Sequence, residues 1–580
     1  MKTKKRNLPV TCFWCGLLWA AGLLLPSVTE AGGIWQTVSN QPSVGVGTML
    51  LLSDGTVMAT AGQDIATNQW FKLTPDTNGS YVNGTWTNLA PMNYNRLFFS
   101  SDVLTNGQVF VAGGEDGDGQ MTAEIYDPPA DVWAIVPIPQ TGFIGGGQGN
   151  FSGFADAGSV VVSNGKVLEL PVTPAVNRET VLYDPVSNLW TTNLLANPLN
   201  DEDEACTVKL PDDSILIVDS GQQTAERYIP SLNTWITDSN CPVFLYGAVG
   251  GEEGPAFLLP NGNAFFIGSS SVTAIYIPSG NTNWGGWVEG PAIPQNLGAP
   301  DAPAAMMVNG NILCALAHTP YLDGTNKEVF NPPTYFYEYN YNDGPIGTFI
   351  QVNAPNGSLT NNGSAYTDRM LDLPDGSVLF TDGNYLYVYQ PTNGAALASG
   401  QPAINSVSWN ADGSLRVSGT LFNGISQGAG YGDDAQMDSN YPLIRFTDGG
   451  SQVTYRRTYD WTSTSVQTGS RIVTTQCTMP TNIFYSNSEA FSLQVVANGN
   501  ASDAITFYSP VWVNFDYTGA TQNGSFAAPY TTLAKATNAV AIGGTIAIYA
   551  GVQPSRSLAA IAISKPMQII SVSGPSTLGN

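Results

Sequence analysis

Residues Met49–Gly62, MLLLSDGTVMATAG, decide the fold: an apolar run, a polar turn at Asp54-Gly55, and a second apolar run. The phrase returns as Val103–Gly114 VLTNGQVFVAGG, Val160–Leu170 VVVSNGKVLEL, Val208–Val218 VKLPDDSILIV, Phe257–Gly268 FLLPNGNAFFIG, Met306–Leu316 MMVNGNILCAL and Leu371–Gly383 LDLPDGSVLFTDG. Marked by the second turn residue (Gly55, Gly107, Gly165, Asp213, Gly262, Gly310, Gly376), the spacings are 52, 58, 48, 49, 48 and 66. Asp-Gly and Asn-Gly accept positive φ, so each phrase predicts two antiparallel strands joined by a two-residue type I′ turn.

A period near fifty residues is that of kelch propeller blades. Downstream of three turns the chain reads Tyr126-Asp127-Pro128 with Trp133, Tyr183-Asp184-Pro185 with Trp190, and Tyr228-Ile229-Pro230 with Trp235; the fifth repeat has Tyr276-Ile277-Pro278 with Trp284 and Trp287. This predicts four strands per blade, Tyr in the third and Trp in the outermost. A meandering β-sandwich is the alternative. The seventh repeat reaches Tyr389-Gln390-Pro391 without a following Trp strand, and Ile34-Trp35-Gln36-Thr37-Val38 resembles the missing one. The N-terminal strand is therefore expected to complete the last blade and remove its free edge.

Residues 1–31 read as a secretory signal: Lys2, Lys4, Lys5 and Arg6, an apolar stretch from Pro9 to Leu25, and small residues before a cut after Ala31. An uncleaved anchor is the other reading. Removal would leave 16 Lys and Arg against 44 Asp and Glu, a net charge of −28. Such a surface repels nucleic acid and anionic lipid and suits neutral or cationic ligands, although acidic surfaces also serve solubility alone. The expected location is extracellular, with no membrane attachment after cleavage. Cys12 and Cys15 would leave with the signal. Of the remaining four, Cys206 and Cys241 bracket one repeat and are the disulfide expectation, while Cys314 reads as a buried thiol.

The overall expectation is all-β: a seven-bladed kelch-type propeller over 32–399, an immunoglobulin-like early-set sandwich over 400–515, and over 516–580 the start of a right-handed parallel β-helix with room for one or two coils. Phosphate loops and Gly-x-Ser-x-Gly elbows with a usable His are not seen, and the whole chain holds one histidine, His318.

A kelch ring followed by an early-set domain resembles the galactose oxidase and glyoxal oxidase family over roughly residues 34 to 515. That resemblance implies a copper held by two Tyr and two His, with one Tyr crosslinked to a Cys as the radical cofactor. Tyr366 matches one Tyr, but Thr367 stands where its neighbouring His belongs. At the radical position, after Arg96 and Leu97, stands Phe98. The Cys partner position falls near Val46, and the stretch Tyr431–Asp438 that should supply the last His has none. One histidine cannot supply two imidazole ligands, so the family's oxidase chemistry is expected to be absent and no copper is expected.

Polar groups at the starts of the inner strands remain as ligand-binding candidates: Arg96, Asp156, Asp203, Glu252, Asp301, Asp368 and Arg369, together with Phe98 and Tyr366. They either line a pocket or stand as solvated rim residues. Two acidic loops are weak calcium candidates, Asp116 with Asp118, and Asp433, Asp434 with Asp438, since calcium takes six to eight oxygens. Two functions stay open: an extracellular binding or scaffold module for glycan or protein, and a carbohydrate-active hydrolase or lyase using carboxylates at the ring mouth.

Overall fold

All seven repeated turns close in the same way. In the first, Leu52 N donates to Thr56 O, Gly55 N donates to Leu52 O, and Gly55 alone has positive φ; the same three features recur at Gly107, Gly165, Asp213, Gly262, Gly310 and Gly376, with φ between 72° and 86°. This is a type I turn followed by a left-handed residue, the G1-bulge hairpin. It corrects the type I′ expectation, because the first turn residue keeps negative φ. The reason is the side chain: in every repeat the Asp or Asn before the left-handed residue accepts the N–H two positions on, at 3.0–3.2 Å. That Asx bond stabilises the right-handed turn conformation and leaves positive φ to the next residue alone.

The computed structural model describes residues 32–137, 154, 157–172, 179–197, 202, 205–392, 394–430, 437–479, 490–549, 556–557 and 561–578. The protein is built almost wholly of strands. The first six repeats each form an antiparallel meander of four strands, the sixth sheet gains further short strands, and the seventh repeat supplies three. Inner strands of neighbouring sheets lie side by side: Val46–Leu51 between Arg369–Asp372 and Ser100–Val103, and Ser100–Val103 beside Gly158–Val161. Strand Ile34–Thr37 pairs with Leu386–Gln390 of the seventh sheet, as expected, so its ladder joins the two ends of the repeat array.

Tyr and Trp sit directly opposite each other in the two outer strands: Tyr126 and Trp133, Tyr183 and Trp190, Tyr228 and Trp235, Tyr276 and Trp287, and Tyr389 with Trp35. Their ring centroids lie 4.6–5.4 Å apart, contacts worth about 0.5–1.5 kcal/mol each beyond burial. Each Trp also donates its indole N–H to the preceding sheet or its connection, for instance Trp133 to Ala90 O at 2.9 Å and Trp287 to Ser239 O at 2.7 Å. The repeated aromatic pair thus ties sheet to sheet. Trp284, the other tryptophan of the fifth repeat, is exposed.

Beyond residue 400, Ala403–Trp409, Leu415–Thr420, Ile472–Cys477 and Thr458–Tyr459 form one antiparallel sheet, and Val453–Arg456, Leu443–Thr447, Ala490–Ala497 and Ile505–Tyr508 the body of another. Val417 and Val473 from the first share a core with Ile444, Phe446 and Leu493 from the second. From this region Ala429–Gly430 reaches back and pairs with the innermost strand of the sixth sheet, Ala304–Met306. Strands Val511–Val513, Thr545–Ile548 and Gln568–Ser571 are parallel. The helix Leu533–Ala539, capped by the Thr532 hydroxyl, packs Leu533 and Ala536 on them. No helix among the described residues is long and apolar enough to cross a membrane.

Candidate functional site

Several residues expected to line a mouth are locked into the backbone instead. Arg96 is 1% exposed. Its Nη1 donates to Gly113 O, Gly119 O and Thr122 O at 2.6–3.0 Å, and its Nη2 to Thr122 Oγ1 and to Glu124 Oε1 at 2.7 and 3.0 Å. Glu124 in turn accepts both the backbone and side-chain N–H of Asn93. This buried ion pair pins the acidic loop 115–119. There is room for it only because residue 119 is glycine, where a Cβ would stand 2.5 Å from Arg96 Nη1. At the seventh sheet, Arg369 Nη1 donates to the carbonyls of Tyr366 and Asp368, both at 2.8 Å, bracing the single helical turn Ala365–Thr367. Asp368 is fully buried, and desolvation pushes its carboxyl far above the usual range.

Phe98 is half-buried with φ of 50°. Asp301 precedes the sixth inner strand with the same φ and is 8% exposed, its N–H donating to Glu253 O at 3.0 Å. Both residues lie just ahead of their strands in the left-handed region, which an Asp tolerates and a Phe adopts only under strain held by the surrounding sheets. Asp156, Asp203, Asp433 and Asp434 lie outside the described residues. His318, at the end of Ile312–His318, is exposed with its ring edge-on to Tyr335 at 5.7 Å.

An open feature lies beside the fifth and sixth sheets. A groove of about 580 Å³ is lined by Phe244, Tyr246, Val249, Ser270, Val272 and Pro320, among others. The turn through Gly247–Glu252 forms its wall, closed by Gly247 N donating to Glu252 O at 2.7 Å. A Cβ at Gly250, where φ is 90°, would stand 2.9 Å from the Phe330 ring and 3.4 Å from both Glu252 Cγ and Pro320. The Phe330 ring lies 5.0 Å from that of Tyr366. Half-buried Glu252 ends the turn that walls the groove, and Phe244, one of the lining residues, stands 46% exposed. Of the sequence candidates, Glu252 belongs to the turn that walls this groove, and Tyr366 packs on the Phe330 ring behind it. Phe244 and Tyr246 escaped the sequence reading because they precede the strand and belong to no repeated phrase.

A second polar cluster, also missed, fills the space between the inner strands. Ser159 Oγ donates to Asp102 at 2.6 Å, Ser100 Oγ to Glu169 at 3.0 Å, and Lys209 Nζ to Thr464 O at 3.1 Å. The Lys209 ammonium also faces Asp102 and Asp438. Burial pushes Asp102 up to about 6 against the pull of Ser159 and Lys209, and raises Glu169, Asp372 and Asp438 further. Asp438 and Thr464 come from the region beyond residue 400, so that region plugs the inner strands with polar groups. Thr464 Oγ1 completes the contact by donating to Val162 O at 2.8 Å.

The calcium candidates are placed by other bonds. Asp118 accepts Asn95 N at 2.6 Å, Asp116 pairs with Leu97 in a two-residue ladder, and Asp438 belongs to the buried cluster. Among the described residues, no three His, Cys, Asp or Glu converge as a metal would require. The disulfide expectation is corrected: Cys206 and Cys241 are both free, buried thiols in one apolar cluster. Cys206 Sγ accepts Ala256 N at 3.2 Å, and burial pushes both thiols up to about 12, which keeps them protonated and unreactive.

No family model and no curated protein sequence matches the chain. Among solved structures, a fungal alcohol oxidase of the AA5 family in complex with copper aligns at 14% identity, covering 82% of this chain and 99% of its own, with a TM-score of 0.47. A streptogramin B lyase aligns at 12% identity over 62% of this chain and 98% of its own, TM-score 0.38, and YjhT at 15% over 54% and 100%, TM-score 0.35. Likeness at this distance assigns no chemistry to the present residues.

Proposed function

We propose that the chain is a secreted, galactose-oxidase-like kelch protein without copper-radical activity. In this reading the seven sheets of the repeats are propeller blades, the paired sheets after residue 400 an early-set sandwich, and the parallel strands the first coils of a β-helix. Its role is to bind a neutral glycan, or a protein surface of similar polarity, in the groove beside Glu252.

The observation that carries this reading is a groove lined by exposed Phe244 and half-buried Tyr246, with Glu252 at the end of the turn that forms its wall. Aromatic faces take up the apolar side of a sugar ring while a carboxylate and a phenol accept and donate to its hydroxyls. The acidic charge of the chain disfavours anionic ligands. Catalysis by mouth carboxylates gains less support, because of the described candidates Asp301 and Asp368 are 8% and 0% exposed, leaving half-buried Glu252, and a general acid must reach its substrate.

The test is a screen of neutral oligosaccharides by calorimetry, with Phe244→Ala, Tyr246→Ala and Glu252→Gln as variants. At least a tenfold loss of affinity in the aromatic variants is expected. Binding that survives all three would remove the groove from the account. Oxygen consumption on galactose or glyoxal after copper loading would overturn the absence of oxidase chemistry.

A further inference from the structure

The chain just ahead of the first strand is wrapped into the seventh sheet. Thr392 Oγ1 donates to Gly32 O at 2.6 Å, and Gly33 N donates to the Tyr389 hydroxyl at 2.5 Å. That hydroxyl donates onward to Glu338 Oε1 at 2.5 Å. Side chains are excluded at Gly33, where a Cβ would stand 2.3 Å from Gln390 O. Gly32 and Glu338 line one cavity of about 310 Å³, whose other walls include Asn309, Asn311, Asn340 and Thr392.

Among the described residues of that lining, Glu338 is the only carboxylate and stands with no Lys or Arg; it is 9% exposed. The groups favouring its charged form are the Tyr389 hydroxyl and the Gly33 N–H, which do not offset burial, so its carboxyl titrates above the usual range. A buried carboxylate with only neutral donors gains from a cation placed beside it. The cavity also has room for one, and its amide walls can solvate a charged group.

We infer that the Ala31–Gly32 bond is hydrolysed on export, and that the new α-ammonium of Gly32 docks in this cavity as the partner of Glu338. Water adds across the peptide bond, Ala31 leaves as a carboxylate, and the Gly32 amine takes up the proton. Before the cut, residue 32 carries a neutral amide and the cavity has no positive charge; after it, the terminus becomes an ion pair. Maturation thereby fastens the strand that completes the seventh sheet. This inference rests on the secretion reading above, and the experiment separates the two.

The full chain is expressed in an exporting host and the purified protein weighed intact. The mass of residues 32–580 is expected. Two variants follow: Glu338→Gln, and one glycine inserted between Ala31 and Gly32, which moves the ammonium one residue outward. Each is expected to lower Tm by about 2 °C at pH 6, with the double variant no lower than either single. A raised α-amino pKa stabilises fully below its unfolded value of about 7.7–8.0 and loses that effect as pH rises through the folded value. The gap between the parent and Glu338→Gln should accordingly close at high pH. Retention of residues 1–31 would overturn secretion and the inference together. An exported protein starting at another residue would overturn the inference and leave secretion standing, and additive, pH-independent effects would overturn the pairing alone.

Discussion

Trp35 and Tyr389 stand opposite each other in a ladder between the first strand and the last strand of the seventh sheet, with ring centroids 4.6 Å apart. Trp35 also packs edge-on against Phe336 and Phe380 and donates its indole N–H to Asn353 O, so one side chain joins the sixth and seventh sheets to the N-terminus. Replacing a large aromatic at such a junction costs about 3–5 kcal/mol when fully buried, and less here because Trp35 is half-buried. Trp35→Ala should destabilise by about 2–3 kcal/mol and raise hydrogen exchange first in Leu386–Gln390. Uniform exchange across all sheets would refute a local closure.

Arg96 and Glu124 form a fully buried pair, and losing one partner strands the other charge. Glu124→Gln should cost about 3 kcal/mol and Arg96→Ala at least as much, since Arg96 also holds three carbonyls. Urea denaturation checks both. A change under 1 kcal/mol in either would mean that the pair contributes little.

Glu253 is pushed up to about 8 by burial, with Asp219 adding to the shift. With a folded pKa above the unfolded one, the folded state binds more protons, so stability falls as pH rises from about 4.5 to about 8. The slope from this group is at most about 1.4 kcal/mol per pH unit. Tm measured across that window should decline in the parent and decline less in Glu253→Gln. Asp102, raised to about 6, adds to the fall between about pH 4 and 6. A parent whose Tm climbs from pH 5 to 8 would contradict the burial of both acids.

The four cysteines of the described chain should be silent to a thiol reagent in the folded protein and react fully after denaturation, because all are buried and free. Migration should be the same with and without reductant. A mass two units below that of the reduced chain would restore the disulfide between Cys206 and Cys241.

Legibility in the sequence followed the range of the interactions. Turn positions, the Tyr and Trp partners and the closing role of Ile34–Thr37 were readable because each depends on a local phrase repeated at a near-constant interval. The turn type was misjudged since Asp-Gly and Asn-Gly serve both hairpin geometries, and the Asx bond selects between them. The Cys206–Cys241 pairing failed because bracketing a repeat says nothing of how two side chains meet.

By itself the sequence determined the number of repeats, the strand order within each and the identity of the strand that joins the two ends, since turn chemistry and alternation act between near neighbours. It also showed one histidine, a single imidazole, among its residues. Only the tertiary structure decided which polar residues face an opening. Arg96 and Arg369 are drawn inward by backbone carbonyls and Asp368 is buried with them, whereas Glu252 is left half-buried on the turn that walls the groove of Phe244 and Tyr246. The buried grouping of Asp102, Lys209 and Asp438 likewise draws on segments far apart in the chain, and its charges are settled by desolvation, which no stretch of sequence carries on its own.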